Sequence, residues 1–222
     1  MPVRQVLLLV AAFAMPLLAQ APAPVLAPDE LARKVQAHYD TVRDFEGEFT
    51  QTYEGGVLRQ KATEQGLVAI RRPGRMRWTY TAPEKKEFVS DGVKVYAYVP
   101  ADRQVVVSPV PPPGDTTPAL FLSGQGNLVR DFTATAMPLP DAAPGLVGLK
   151  LTPKRTDRDF AWLAIGVDPA TLQIRHLVAQ DRQGGTSTFR FTNLRENRRL
   201  SDKLFEFKVP KGVDVITNEP PR

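Results

Sequence analysis

The sequence predicts a mainly β fold: one antiparallel sheet wide enough to curl, with two helical pieces available to cover its inside. Three observations carry this. From Asp44 onward the apolar residues recur with a period of two. Gly, Pro, Asp and Asn punctuate the chain at the intervals hairpins require. Only Asp29 to Val42 shows the three- and four-residue spacing of an amphipathic helix, and a short apolar segment at Ala119 to Gly124 supplies the second helical piece. A sheet of about ten or more strands must curl or split.

Residues Val6 to Ala19 form an apolar run behind Arg4 and lead into Ala19-Gln20-Ala21, so 1–21 is expected to be a signal peptide cleaved somewhere in 19–27. The run is shorter than the ~20 residues of a spanning helix and no comparable run follows, so 28–222 is expected to form one soluble domain. After a Pro/Ala linker, Asp29 is placed to cap a helix with Leu31, Val35, Tyr39 and Val42 on its apolar face. Phe45, Gly47, Phe49, Gln51 and Tyr53 then share one face of a strand that ends at Glu54-Gly55-Gly56. Strands are expected near 57–71, 75–81, 86–90, 93–99 and 102–108, with Pro73-Gly74 and Ser90-Asp91-Gly92 as turns. Pro109 to Pro118 is expected to break the sheet, because four of the residues 109–113 are proline. Further strands are expected near 129–135, 146–152, 159–167, 172–180 and 185–194, with Phe205, Phe207 and the turn Pro210-Lys211-Gly212 closing the chain.

The stretch Leu67 to Gly92 is the most informative. Met76, Trp78 and Tyr80 fall on one face of a strand, and Arg75, Arg77, Thr79 and Thr81 on the other. In the strand before it, Val68, Ile70 and Arg72 share a parity. If the two aliphatic residues point inward, so does the arginine, and an inward guanidinium must find partners.

Much chemistry is missing. The chain has no cysteine, which removes thiol catalysis, disulfides and thiolate zinc sites. It has two histidines, His38 and His176, far apart and without carboxylates at metal-ligand spacing. No nucleophile elbow, Walker loop or dinucleotide fingerprint is present, so the reading is of a protein that is not an enzyme and needs no cofactor. Arginines interleave with aromatics at Arg75 to Tyr80, but strand alternation separates them onto opposite faces, and with an export signal this argues against nucleic acid. The net charge of +5, or +4 once Arg4 leaves, is spread along the chain as a solvated basic surface.

Phe45-x-Gly47-x-Phe49-x-Gln51, Gly66 leading into Arg72-Pro73-Gly74-x-x-x-Trp78-x-Tyr80-x-x-Pro83, and Val89-Ser90-Asp91-Gly92 leading to Tyr98-x-Pro100 resemble the periplasmic outer-membrane lipoprotein carriers, the LolA family. Leu151-Thr152-Pro153-Lys154 and Phe205-x-Phe207-x-x-Pro210-x-Gly212-Val213 extend the resemblance over the mature chain. It implies an incomplete antiparallel β-barrel of about eleven strands with a helical lid. It also implies a monomer in the periplasm that takes acylated lipoproteins from an inner-membrane ABC transporter and passes them to an outer-membrane receptor. The expected lining of the acyl cavity is Phe49, Val68, Ile70, Met76, Trp78, Tyr80, Val95 and Phe191, under a lid carrying Leu120, Phe121 and Leu122. Arg72 matches the family's latch arginine, with acceptors expected near Ala119 to Gly124. The runner-up reading is a general lipid-binding or envelope-stress-sensing module of the same fold.

Overall fold

The computed structural model describes residues 26–55, 60–110, 121–139, 141–156 and 160–218. The expected signal peptide, most of the proline-rich stretch and Leu120 lie outside the described residues. Helix α1 (Pro28–Thr41) starts on a proline, with Ala27 at the N-cap and no side chain capping it. Asp29 is therefore not the cap. Proline suits the first helical position because its φ is already helical and its missing N–H would have had no partner there. Asp29 and Glu30 sit in the first turn, where carboxylates complement the helix dipole.

The strands form two meanders. The first comprises β1 (Asp44–Gly55), β2 (Gln60–Arg71), β3 (Arg75–Ala82), β4 (Lys86–Asp91), β5 (Lys94–Val99) and β6 (Gln104–Pro109). A π-helical turn at Phe121–Gln125 and the short helix α2 (Leu128–Asp131) lead into the second: β7 (Phe132–Ala136), β8 (Val147–Pro153), β9 (Phe160–Val167), β10 (Ile174–Asp181) and β11 (Thr186–Glu196). A 3-10 turn at Asp202–Phe205 and strand β12 (Asp214–Thr217) follow. All twelve strands join one sheet, ordered β12-β6-β5-β4-β3-β2-β1-β11-β10-β9-β8-β7, with β12 and β7 at its two ends. The fold is the expected barrel-like sheet, left open.

Three details differ from expectation. Strand β12 is one more than the eleven expected and runs parallel to β6, whereas every other pair is antiparallel. Its four residues are all exposed, so no inside-outside pattern marks it in the sequence. The strand expected from 129 begins at Phe132, because the Asn127 side chain accepts from the N–H groups of Val129 and Arg130 at 3.0 and 2.7 Å and starts a helical turn. Pro109 ends β6 opposite Lys94 and does not interrupt it.

The sheet carries a core on each face. On the concave face, Leu31, Val35 and Tyr39 of α1 join Phe49, Ile70 and Trp78 from the first meander and Leu149, Ile165 and Leu177 from the second. On the convex face, the segment after β11 crosses the first meander. Arg77 Nε donates to the Leu204 carbonyl at 2.7 Å and Arg77 Nη2 to the Glu206 carbonyl at 2.9 Å. Phe207 stacks on Tyr96 at 5.2 Å between ring centres.

Register depends on Gly66. A Cβ there would lie 2.1 Å from the Thr79 carbonyl oxygen, where the pairing of β2 with β3 shifts. Gly66→Ala is expected to cost about 1 to 3 kcal/mol through overpacking, read as a lower urea midpoint; an unchanged midpoint would show that the strands separate there without cost.

Candidate functional site

Side chains of paired strand residues share a face. Register sets Val68 beside Trp78, and Trp78 beside Phe88. It also sets Ile70 beside Met76, and Phe49 between Gly66 and Phe191. The result is one continuous inner surface, and it is packed shut. Phe49, Val68, Ile70, Met76, Trp78, Tyr80 and Phe191 are each no more than 7% exposed. Phe49 meets Trp78 and Tyr80 edge-on at 5.0 and 4.9 Å, and Trp78 meets Phe189 at 5.5 Å. Seven of the eight expected lining residues thus come together. Val95 faces the same side, opposite Ser90, but is only half-buried and stands apart from this cluster. Phe88 and Phe189 belong at the surface and were not anticipated, although Phe189 has the parity of Phe191.

The cover is built from α1 and the π-helical turn, where Leu122 is buried and Phe121 contributes backbone. One turn of the sheet, Arg72 to Gly74, holds both pieces. Arg72 Nη1 donates to the Tyr39 carbonyl near the end of α1, and the guanidinium lies 5.5 Å from the centre of the Tyr39 ring. Gly74 N donates to the Ser123 carbonyl at 3.1 Å. The arginine stem packs on Gly124, where a Cβ would come within 2.8 Å of Arg72 Nε. Gly124 also has φ +85°, which favours glycine independently. The acceptor expected among residues 119–124 is thus Tyr39. Helix-end carbonyls lack intrahelical partners, and the last turn of α1 offers one. Nothing in a sequence pattern marks a carbonyl as the acceptor for a residue thirty-three positions away.

Burial lowers the Arg72 pKa, and Tyr39 and Asp40 oppose that shift. Arg72 Nε and Trp78 Nε1 are buried with no hydrogen-bond partner among the described residues. Burial pushes the Tyr39 phenol well above its ordinary value, although its oxygen accepts from Ile174 N at 3.0 Å. Tyr80 is raised by burial and then by Glu64. The open grooves lie elsewhere. One of about 500 Å³ is lined by Thr52, Lys61, Asp141 and Arg190, and one of about 510 Å³ by Arg43, Asp44, Arg71, Arg72, Arg199 and Asp202. Both are polar, and neither is the aromatic interior.

A model of the family described as outer membrane lipoprotein carrier protein LolA matches residues 40–208. The chain belongs to the LolA family. It is 32% identical over 200 residues to an outer-membrane lipoprotein carrier protein of Cupriavidus taiwanensis, covering 89% of this chain and 90% of that one. It is 34% identical over 206 residues to the carrier of Bordetella avium, covering 91% and 94%. Among solved structures, an uncharacterized conserved protein from Thermus thermophilus superposes with a TM-score of 0.52 at 13% identity over 85% of this chain and 98% of that one, a likeness of fold alone. In this LolA-family chain the matched span holds the Arg72 to Gly74 turn and the aromatic interior, but only the end of α1.

The two buried phenols give a test in alkali. Each stays neutral when folded and has an ordinary pKa near 10 when exposed. The stability they contribute is present in full below pH about 10 and is lost as the pH rises towards the folded values. Spectrophotometric titration is expected to show Tyr39 and Tyr80 ionising only with unfolding, and Tyr80→Phe should leave one such group. Smooth ionisation of all five tyrosines in the folded protein would contradict the closed interior.

Proposed function

We propose that this chain is a periplasmic carrier that shields the acyl chains of lipoproteins between the inner and outer membranes. The observation that carries the reading is the continuous aromatic and aliphatic inner surface under a cover that hydrogen-bonds to the sheet at few points. Acyl chains cross water at a cost of about 0.8 kcal/mol per methylene, so a carrier has to replace water around them. Phe49, Val68, Ile70, Met76, Trp78, Tyr80 and Phe191 would line the space opened when α1 and the π-helical turn lift, and Val95 would extend it. The donor would be an inner-membrane lipoprotein-releasing transporter and the acceptor an outer-membrane receptor. The family match and the named carriers support this reading. The direct experiment adds the mature protein to spheroplasts carrying radiolabelled lipoproteins. Release of labelled lipoprotein into the medium is expected, and release of phospholipid alone would replace the reading with a free-lipid binder.

Arg72 is the proposed latch. A charged donor to a carbonyl contributes roughly 1.5 to 3 kcal/mol, small enough to break as chains enter and large enough to favour their expulsion on reclosure. Arg72→Leu is expected to keep the fold and uptake but to slow transfer to the receptor by about tenfold or more, because it removes the polar contact and adds apolar surface. Uptake and transfer are measured separately, with thermal melting as the folding control. Equal transfer rates in variant and parent would remove the latch.

A further inference from the structure

A charged pair stands on the concave face, at the edge of its aromatic and aliphatic surface. Register places Lys86 opposite Tyr80, in the row that contains Phe49 and Gly66, and Glu64 opposite Gln51, in the adjoining row. Lys86 Nζ lies 2.6 Å from a Glu64 carboxylate oxygen and 4.4 Å from the centre of the Tyr80 ring. The Tyr80 hydroxyl donates to Gln51 Oε1 at 2.6 Å, and its ring touches Phe49 and Phe88 at 4.9 and 5.7 Å. The pair is 24% and 21% exposed, and the neighbouring row of Phe88, Ala97 and Val106 is only half-buried. This is the polar margin of the aromatic cluster, reachable from solvent.

A part-exposed ion pair does little for stability, and seating two charges against aromatic rings carries a desolvation cost. The arrangement is better matched to a ligand that is apolar along its length and polar at one end. The ester and amide groups that join acyl chains to a polypeptide present carbonyl oxygens, which only accept hydrogen bonds and lose water when the chains are buried. Lys86 has three N–H donors, of which Glu64 engages one in the closed protein, and the Tyr80 hydroxyl, which donates to Gln51 there, becomes a second donor where a ligand carbonyl takes the place of Gln51. Resting on the carrier reading above, we infer that Lys86, assisted by Tyr80, is a specificity-determining residue that binds the ester and amide carbonyls of an acylated cargo at the edge of the cavity. Glu64 holds Lys86 in place while the cavity is closed and releases it to the carbonyls when chains enter.

The test uses two synthetic lipopeptides with chains of equal length, one with ester-linked acyl chains on its N-terminal cysteine and one with ether-linked alkyl chains. Both are titrated against a fluorescent acyl probe bound to the mature protein. The parent is expected to favour the ester form by about tenfold. Lys86→Met should abolish that preference while leaving affinity for the ether form unchanged, and Glu64→Gln, which frees the ammonium, should preserve it. Tyr80→Phe should give a smaller loss of the same preference, a second reading that stands if Lys86→Met melts early. Equal affinity of the parent for both forms, or an ester preference surviving in Lys86→Met, overturns the inference and leaves the carrier reading intact. Equal weakening of both ligands by Lys86→Met and Glu64→Gln also overturns it, since the pair would then only stiffen the strands. Failure of both lipopeptides to displace the probe overturns the carrier reading together with this one.

Discussion

The apolar inner face of an open sheet has to be kept from water by elements outside the sheet's hydrogen-bond ladder. Everything else in the molecule follows from that constraint. Strand pairing satisfies most of the backbone of the sheet, and the Tyr39 hydroxyl of the cover accepts from Ile174 N at the start of β10. Helix α1 satisfies its own backbone except at its ends. The two therefore meet through side chains, Leu31, Val35 and Tyr39 against the concave rows, and through a few terminal polar contacts. Such a cover is held mainly by the hydrophobic effect, which is non-directional and is recovered equally well when acyl chains take its place. The sheet can exchange one apolar partner for another without breaking a strand.

The polar contacts then decide how easily the exchange happens. Arg72 makes one hydrogen bond to Tyr39, and its Nε is buried with no partner among the described residues, as is Trp78 Nε1. Each unpaired buried donor costs about 1 to 3 kcal/mol. The closed form is thus stabilised by apolar contact, while one donor at the turn and one on β3 have no partner among the described residues.

How much of this is legible in the sequence depends on what each feature is made of. Alternation marks the strands and their inward faces, because the period of two is a property of the chain itself, and it picks out Val68, Ile70, Met76, Trp78 and Arg72 together. The helix is legible, but its cap is not, since Ala27 and Pro28 begin it without a capping side chain. Strand β12 has only four exposed residues and is defined by its neighbour β6. Tyr39 reads as one more apolar position of α1, although its carbonyl and ring both meet Arg72 and its hydroxyl accepts from Ile174 N. Glu64 and Lys86 fall among charged and polar neighbours in sequence and read as surface until register sets them against the aromatic row.

The arginines from 71 to 77 show how one alternating stretch serves both faces. Arg71 and Arg75 reach Asp202 on the convex side, Arg71 at 2.9 Å, and Arg71 also donates to the Leu200 carbonyl at 2.8 Å. Arg77 holds the carbonyls of Leu204 and Glu206 and pairs with Glu87 at 2.8 Å. Arg72, one residue from Arg71, turns to the concave side and meets α1. The odd-numbered arginines fasten a segment that lies across the back of the sheet, and the even-numbered one holds the end of α1. A shift of one residue in the β2 to β3 register would exchange those roles, placing a fixed contact at the lid and a lone contact behind the sheet. The close approach at Gly66 and the turn at Gly74 limit that shift, so the register of this hairpin also sets which arginine faces α1.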